Sequence, residues 1–192
     1  MSSTGQSLLQ AALEIQQFFE EKHWQFALIG GLAILRWGKP RTTLDVDGTL
    51  LTMFVDDEFY VDGLLARFTS RIPDAKAFAL QHRVMLLTAS NGIALDISLG
   101  GLPFEQQLVE RSSLFEYEKN YILRTCSAED LIVLKAFAAR DKDWADVHSV
   151  LVRQKECLDT NYICENLTPL CELKGSPEIM VKLEQLLKTT EF

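Results

Sequence analysis

The chain has 192 residues, 47% hydrophobic and 24% charged, with a formal net charge of −8. That length suits one domain, or one domain with a small appendage, and is enough to bury a real core. The composition is that of an ordinary globular protein. Its acidic balance argues against a wide nucleic-acid surface, which needs clustered Lys and Arg, but leaves room for RNA at one local basic patch.

The opening MSSTGQSLLQ has no basic start and no apolar h-region, and no stretch approaches the roughly 18 apolar residues of a membrane span. A cytoplasmic protein with no membrane partner is the expectation. Helical spacing of Leu8, Leu9, Ala12, Ile15, Phe18 and Phe19 predicts an amphipathic helix over 6–22. FALIG (26–30) reads as a short buried strand stopped by Gly30-Gly31, and LAILRW (32–37) as a short helix closed by Gly38 and Pro40. Residues 42–52 read as a second strand and 56–68 as a second amphipathic helix.

A hairpin follows: RVMLLTAS (83–90) and IALDISLG (93–100) are β-rich runs flanking Asn91-Gly92. A helix is expected over 103–111 and a last strand over 120–126. From there the pattern is helical. Ser127, with Asp130 three residues on, resembles a capping box that opens a helix over 128–140. Helices over 143–154 and 161–173 follow, and Ser176-Pro177 opens one over 178–188. The order divides at about residue 126 into an α+β part (1–126) and a helical region (127–192), expected to pack on the first. Cys126, Cys157, Cys164 and Cys171 show no C-x-x-C spacing, which argues against zinc or a redox motif. The last three recur every seven residues, so one helical face could carry them as small buried side chains.

The chemistry concentrates in TTLDVDGTLL (42–51). On a strand, Asp45 and Asp47 project from one face, while Leu44 and Val46 point to the other. Two such carboxylates repel unless a cation sits between them, and Mg²⁺ prefers oxygen ligands and shares phosphate oxygens. Asp96, flanked by apolar residues in IALDISL, needs a partner or a metal, because an unpaired buried charge is costly. Three carboxylates could bind one or two metals and help activate a hydroxyl for in-line displacement. Gly30-Gly31 before a helix could bring backbone amides to phosphate. Gly48 suggests a bulge or a close approach. Arg41 could pair with a carboxylate or a phosphate. Lys135, inside the apolar LIVLKAFAAR, either snorkels to water or points into a polar site. Arg140, Asp141, Lys142, Asp143 and Asp146 follow it, with Asp143 and Asp146 sharing one helical face.

The run GGLAILRWGKPRTTLDVD (30–47) resembles the nucleotidyltransferase superfamily with a DNA polymerase β-like core. It is most similar to the minimal bacterial group of abortive-infection, AbiEii-like toxins. That pattern of Gly-Gly, Ala and Gly-x-x-Arg-x-Thr-x-Asp-hydrophobic-Asp falls on Gly30, Gly31, Ala33, Gly38, Arg41, Thr43, Asp45, Val46 and Asp47 without a gap. DLIVLK (130–135) and KDWAD (142–146) match its later elements in order, and the resemblance covers roughly 20–155. It implies an α+β fold: a small mixed β-sheet core flanked by helices, then a C-terminal helical region.

The resemblance further implies transfer of a nucleoside monophosphate from an NTP such as ATP to an acceptor hydroxyl, with release of pyrophosphate. Asp45, Asp47 and Asp96 would hold Mg²⁺ or Mn²⁺, and Asp96 would orient or deprotonate the acceptor. Gly30, Gly31, Arg41 and Thr43 would bind nucleotide, Lys135 would neutralise phosphate charge, and Arg140, Asp143 and Asp146 would support the site. The acceptor could be an RNA such as tRNA, a protein or a small hydroxyl compound, and the toxin likeness brings a possible antitoxin partner. Two alternatives stay open. DVDGTLL fits the first motif of haloacid-dehalogenase-type phosphatases, where Asp45 would be a nucleophile. A catalytically inactive nucleotidyltransferase-like binding module would keep the fold without the reaction.

Overall fold

The computed structural model describes residues 3–190. In chain order the elements are α1 (Ser3–Glu21), β1 (Phe26–Leu28), α2 (Gly30–Trp37), β2 (Asp45–Leu51), α3 (Asp57–Arg67), β3 (Thr69–Ser70), α4 (Ala75–His82), β4 (Val84–Thr88) and β5 (Ala94–Gly100). They continue with α5 (Pro103–Glu110), β6 (Ser113–Glu118), β7 (Tyr121–Thr125), α6 (Ala128–Ala138), α7 (Asp141–Gln154), α8 (Thr160–Lys174) and α9 (Glu178–Thr190). The fold is α+β, as the resemblance implies. Contacts group the chain into two units: up to Leu32 with Thr42–Cys126, and Ala33–Arg41 with Ser127 onward.

The first unit is built on a mixed sheet of order β3-β4-β5-β2-β1-β7-β6. Strand β2 runs parallel to β5 and antiparallel to β1, while β1 and β7 are parallel. The hairpin β4-β5 forms as predicted. Its connection is Ser90-Asn91-Gly92: the Gly92 amide donates to Ala89 O and the Ala89 amide to Ile93 O, both at 2.9 Å. Gly92 takes the left-handed φ of +85° that this turn needs. The apolar stripe of α1 delivers Leu9, Ile15 and Phe19 to a core shared with Leu28, Leu50 and Leu95, all essentially without exposure. Buried Gln16 serves β7 instead: its amide donates to Ile122 O (3.1 Å) and accepts from the Arg124 amide (2.8 Å). This side chain satisfies strand groups that the short β1, paired with β7 only at Leu28↔Thr125, does not reach.

In the second unit, α6 packs on α7, α8 and α9. Ser127 caps α6 as the sequence suggested, accepting from the Asp130 amide at 3.1 Å. Its hydroxyl donates to the Asp130 carboxylate at 2.8 Å, and Tyr162 of α8 donates to the other oxygen at 2.7 Å.

Several expectations are corrected. Residues 42–44 are not strand: β2 begins at Asp45, because only there does β5 run alongside it (Asp45↔Ala94), and Leu44 is 66% exposed rather than on the buried face. Gly30-Gly31 opens α2 instead of ending a strand, since antiparallel pairing of β1 stops at Leu28↔Gly48. Gly48 introduces no bulge. Pairing with β5 is unbroken from Asp45 to Leu51, and the close approach is that of a side chain, Ile97 Cδ1, 3.1 Å from where a Cβ would stand. The helix over 128–140 ends at Ala138, where Ala139 turns left-handed (φ 59°), and α7 starts at Asp141. Cys157 lies in a short 3₁₀ turn and is exposed, so it does not share the α8 face of Cys164 and Cys171. Strands β3 and β6 and helix α4 were not foreseen: β3 has two residues, β6 (SLFEYE) shows no alternation of burial, and α4 buries only Ala79.

Candidate active site

Strand alternation puts Asp45 and Asp47 on one face of β2, while Val46 on the other face is fully buried. The parallel register sets Asp96 of β5 directly beside Asp47. One oxygen from each of Asp45, Asp47 and Asp96 lies within 4.8 Å of the other two, and all three residues are partly exposed. This is an oxygen-only donor set of three carboxylates, the chemistry a hard divalent cation takes. It is also a cost to the protein. Burial, together with the nearby Asp45 charge, holds the Asp96 carboxyl above its ordinary range, although Arg71 pulls the other way.

The glycine pair serves the aspartates. A Cβ at Gly30 would stand 1.9 Å from Asp47 Oδ2 and 2.7 Å from Asp47 Cβ, and Gly30 has a φ of +57°. A Cβ at Gly31 would stand 2.1 Å from Thr43 Oγ1. Thr43 in turn donates to Asp45 Oδ1 at 3.1 Å. The Gly31 amide, in the first turn of α2, points to Asp47 Oδ2 at 3.4 Å. Gly30 thus makes room for one aspartate, and Gly31 makes room for the threonine that steadies the other.

Sequence reading missed Arg71. Its guanidinium forms an ion pair with Asp96 Oδ1, and its side chain is about one-third exposed. It follows the two-residue β3 and belongs to no motif. Twenty-five positions separate it from Asp96, so only strand pairing brings the two together.

The remaining predicted residues gather in the second unit. Lys135 Nζ, buried, lies 3.1 Å from Asp143 Oδ1 and 3.1 Å from Asp146 Oδ2. Arg41 holds Asp146 with two parallel bonds, Nε to Oδ1 at 2.9 Å and Nη2 to Oδ2 at 2.8 Å. Arg140 forms an ion pair with Asp143, one of whose contacts is Nη2 to Oδ1 at 3.2 Å. Burial raises the Asp143 carboxyl, but hydrogen bonds from Arg140 and Lys135 outweigh it, and the net position is below the ordinary range. Asp146 behaves likewise, with Arg41 and Lys135 outweighing burial. Asp143 and Asp146 do share a helical face, and that face meets the lysine. The structure therefore assembles Gly30, Gly31, Thr43, Asp45, Asp47 and Asp96 in one unit, and Arg41, Lys135, Arg140, Asp143 and Asp146 in the other.

A family model described as "Nucleotidyltransferase of unknown function (DUF6036)" matches residues 6–168. No curated protein matches the chain. Among solved structures, an antigenic nucleotidyltransferase-like protein from Paracoccidioides brasiliensis superposes with a TM-score of 0.54 at 15% identity, over 94% of each chain. At that identity the likeness is one of fold. Lower similarity is found to the lincosamide antibiotic adenylyltransferase LnuA bound to lincomycin, with a TM-score of 0.46 and 16% identity over 73% of this chain and 94% of that one. It is found also to ANT(2")-Ia in complex with adenylyl-2"-tobramycin, with a TM-score of 0.47 and 15% identity over 94% of this chain and 97% of that one.

Proposed function

The chain belongs to this nucleotidyltransferase family, and on that premise we propose that it transfers a nucleoside monophosphate from an NTP to an acceptor hydroxyl at the Asp45–Asp47–Asp96 site, with pyrophosphate leaving. The observation that carries the reading is the convergence of these three carboxylates within 4.8 Å on one sheet face. Mutual repulsion and the raised Asp96 carboxyl fit a site whose charge is balanced by a bound cation. Asp45, Asp47 and Asp96 would hold Mg²⁺ or Mn²⁺, which when bound supplies positive charge to the triphosphate and acidifies a coordinated hydroxyl.

The chain's own residues supply position. Thr43 fixes the Asp45 carboxylate, and the Gly31 amide with Gly30's missing side chain fixes that of Asp47. The α2 N-terminus also favours the anionic triphosphate. Asp96, beside Asp47 in the β2–β5 register, would orient the acceptor hydroxyl and take its proton. Acceleration on this reading comes from alignment and fixed charge. For Lys135 the geometry supports a different role from the one the resemblance implies. Two aspartates already neutralise it, so we assign it, with Arg41 and Arg140, to holding α6, α7 and the segment before β2 together within the second unit.

The mixed sheet disfavours the phosphatase alternative, since β2 lies between an antiparallel and a parallel neighbour rather than in alternating βα units. Among the described residues no helix is long and apolar enough to cross a membrane. The net charge of −8 favours an acceptor bound without a broad basic surface, a protein or small-molecule hydroxyl before a long RNA. The toxin branch, with an antitoxin partner, rests on the sequence resemblance alone. The test is incubation with α-labelled NTPs, Mg²⁺ or Mn²⁺ and pools of tRNA, protein and polyhydroxyl compounds. Label should reach one pool, and Asp47→Asn should reduce transfer by at least about 100-fold. Release of γ-label alone, with no nucleotide transferred, refutes the proposal.

A further inference from the structure

Among the described residues, Arg71 is a cation that reaches the acid trio, through its ion pair with Asp96. Its backbone is pinned: the Arg71 amide donates to Leu86 O at 2.9 Å, beside Asp96's own strand. Ser70 Oγ donates to Ile72 O at 2.7 Å and accepts from the Ile72 amide at 3.1 Å, so the turn around it is closed. Only the side chain, about one-third exposed, is left to move. It occupies Asp96 Oδ1, and Asp96 is one of the three proposed metal ligands.

Resting on the nucleotidyl-transfer reading, we propose that Arg71 is a displaceable counter-cation of the site. Without nucleotide its guanidinium competes with the divalent ion for Asp96. With nucleotide it leaves Asp96 for a phosphate, an anion that suits the same planar fork. One side chain thus couples the two ligands. Metal entering at Asp96 frees a positive charge within a side chain's reach, and a triphosphate that takes this charge frees Asp96. By linkage, each ligand then tightens the other by the same factor. The arrangement disfavours a metal-loaded site in the absence of nucleotide.

Binding of Mn²⁺, followed by electron paramagnetic resonance and calorimetry, tests this without any turnover. The proteins are wild type, Arg71→Gln, Arg71→Lys and Asp45→Asn/Asp47→Asn, each with and without an ATP analogue bearing an α,β-methylene bridge. Without nucleotide, Arg71→Gln should bind Mn²⁺ about tenfold more tightly than wild type, and Arg71→Lys should fall between. The analogue should tighten Mn²⁺ binding in wild type more than in Arg71→Gln, and its own affinity should fall in Arg71→Gln. Equal or weaker Mn²⁺ binding by Arg71→Gln without nucleotide overturns the counter-cation role while leaving the metal reading intact. Mn²⁺ binding unchanged in Asp45→Asn/Asp47→Asn, or absent from every protein, overturns the metal reading itself and the inference with it. Circular dichroism of each variant confirms folding, and Arg71→Lys, which keeps a charge there, guards against a purely structural loss in Arg71→Gln.

Discussion

Gly30→Ala separates a glycine that supports the site from one that merely makes a turn. Two costs add at Gly30. A Cβ residue at a φ of +57° incurs about 1–2 kcal/mol of left-handed strain. The new Cβ also meets Asp47, and rotating the carboxylate away removes only the 1.9 Å contact with Oδ2. The 2.7 Å contact is with Asp47 Cβ, which is fixed to strand β2, so backbone must shift. Such overpacking costs about 1–3 kcal/mol. Together the destabilisation is about 2–5 kcal/mol, which for a chain of this size lowers Tm by about 4–20 °C. Gly92→Ala is the control: φ is +85° and nothing lies within 4 Å of the added Cβ, so only the strain of about 1–2 kcal/mol remains. Calorimetric unfolding with Mn²⁺ titration reads both effects. Gly30→Ala should lose much of its Mn²⁺ affinity as Asp47 is displaced, and Gly92→Ala should keep it. If Gly30→Ala unfolds with Gly92→Ala and binds Mn²⁺ like wild type, the steric reasoning is wrong.

Three further outcomes are expected. Thr43→Val removes the donor at 3.1 Å from Asp45 Oδ1; a bond worth about 0.5–1.5 kcal/mol predicts roughly 2- to 12-fold weaker Mn²⁺ binding, with little change in Tm. Lys135→Met leaves two buried carboxylates short of a partner. Since Arg140 and Arg41 remain, the cost should sit at the low end for broken buried pairs, about 3 kcal/mol, read as a fall of about 1–1.5 M in urea midpoint. Asp143 and Asp146 titrate below the ordinary carboxylate range when folded, their cationic partners outweighing burial. Their stabilisation is therefore complete above about pH 4 and is lost as pH falls through the lower folded values. Tm measured against pH should drop on that acid side, and Asp146→Asn should lower Tm at neutral pH while flattening the drop.

The sequence by itself determined those features whose causes are local. Ser127 with Asp130 names the start of α6, because a side-chain oxygen three residues from an unpaired amide can cap it in any context. Asn91-Gly92 marks the hairpin, because only residues tolerant of positive φ make that turn. Asp-Val-Asp on a strand dictates that the two carboxylates share a face, so two thirds of the acid trio was legible before any fold existed. Apolar Asp96 neighbours pointed to the third. The rest is set by which strands pair. Alignment of Asp47 with Asp96 is a property of the β2–β5 register, and a shift of one residue turns Asp96 to the other face. Strands β3 and β6 exist because neighbours offer hydrogen bonds, not because their residues demand it. Arg71 meets Asp96, and Arg41 meets Asp146 across 105 positions, through side chains whose types fit many partners. Only tertiary structure chose among those partners, and it also gave the Gly-Gly pair a task the sequence did not state: leaving space for Asp47 and for Thr43.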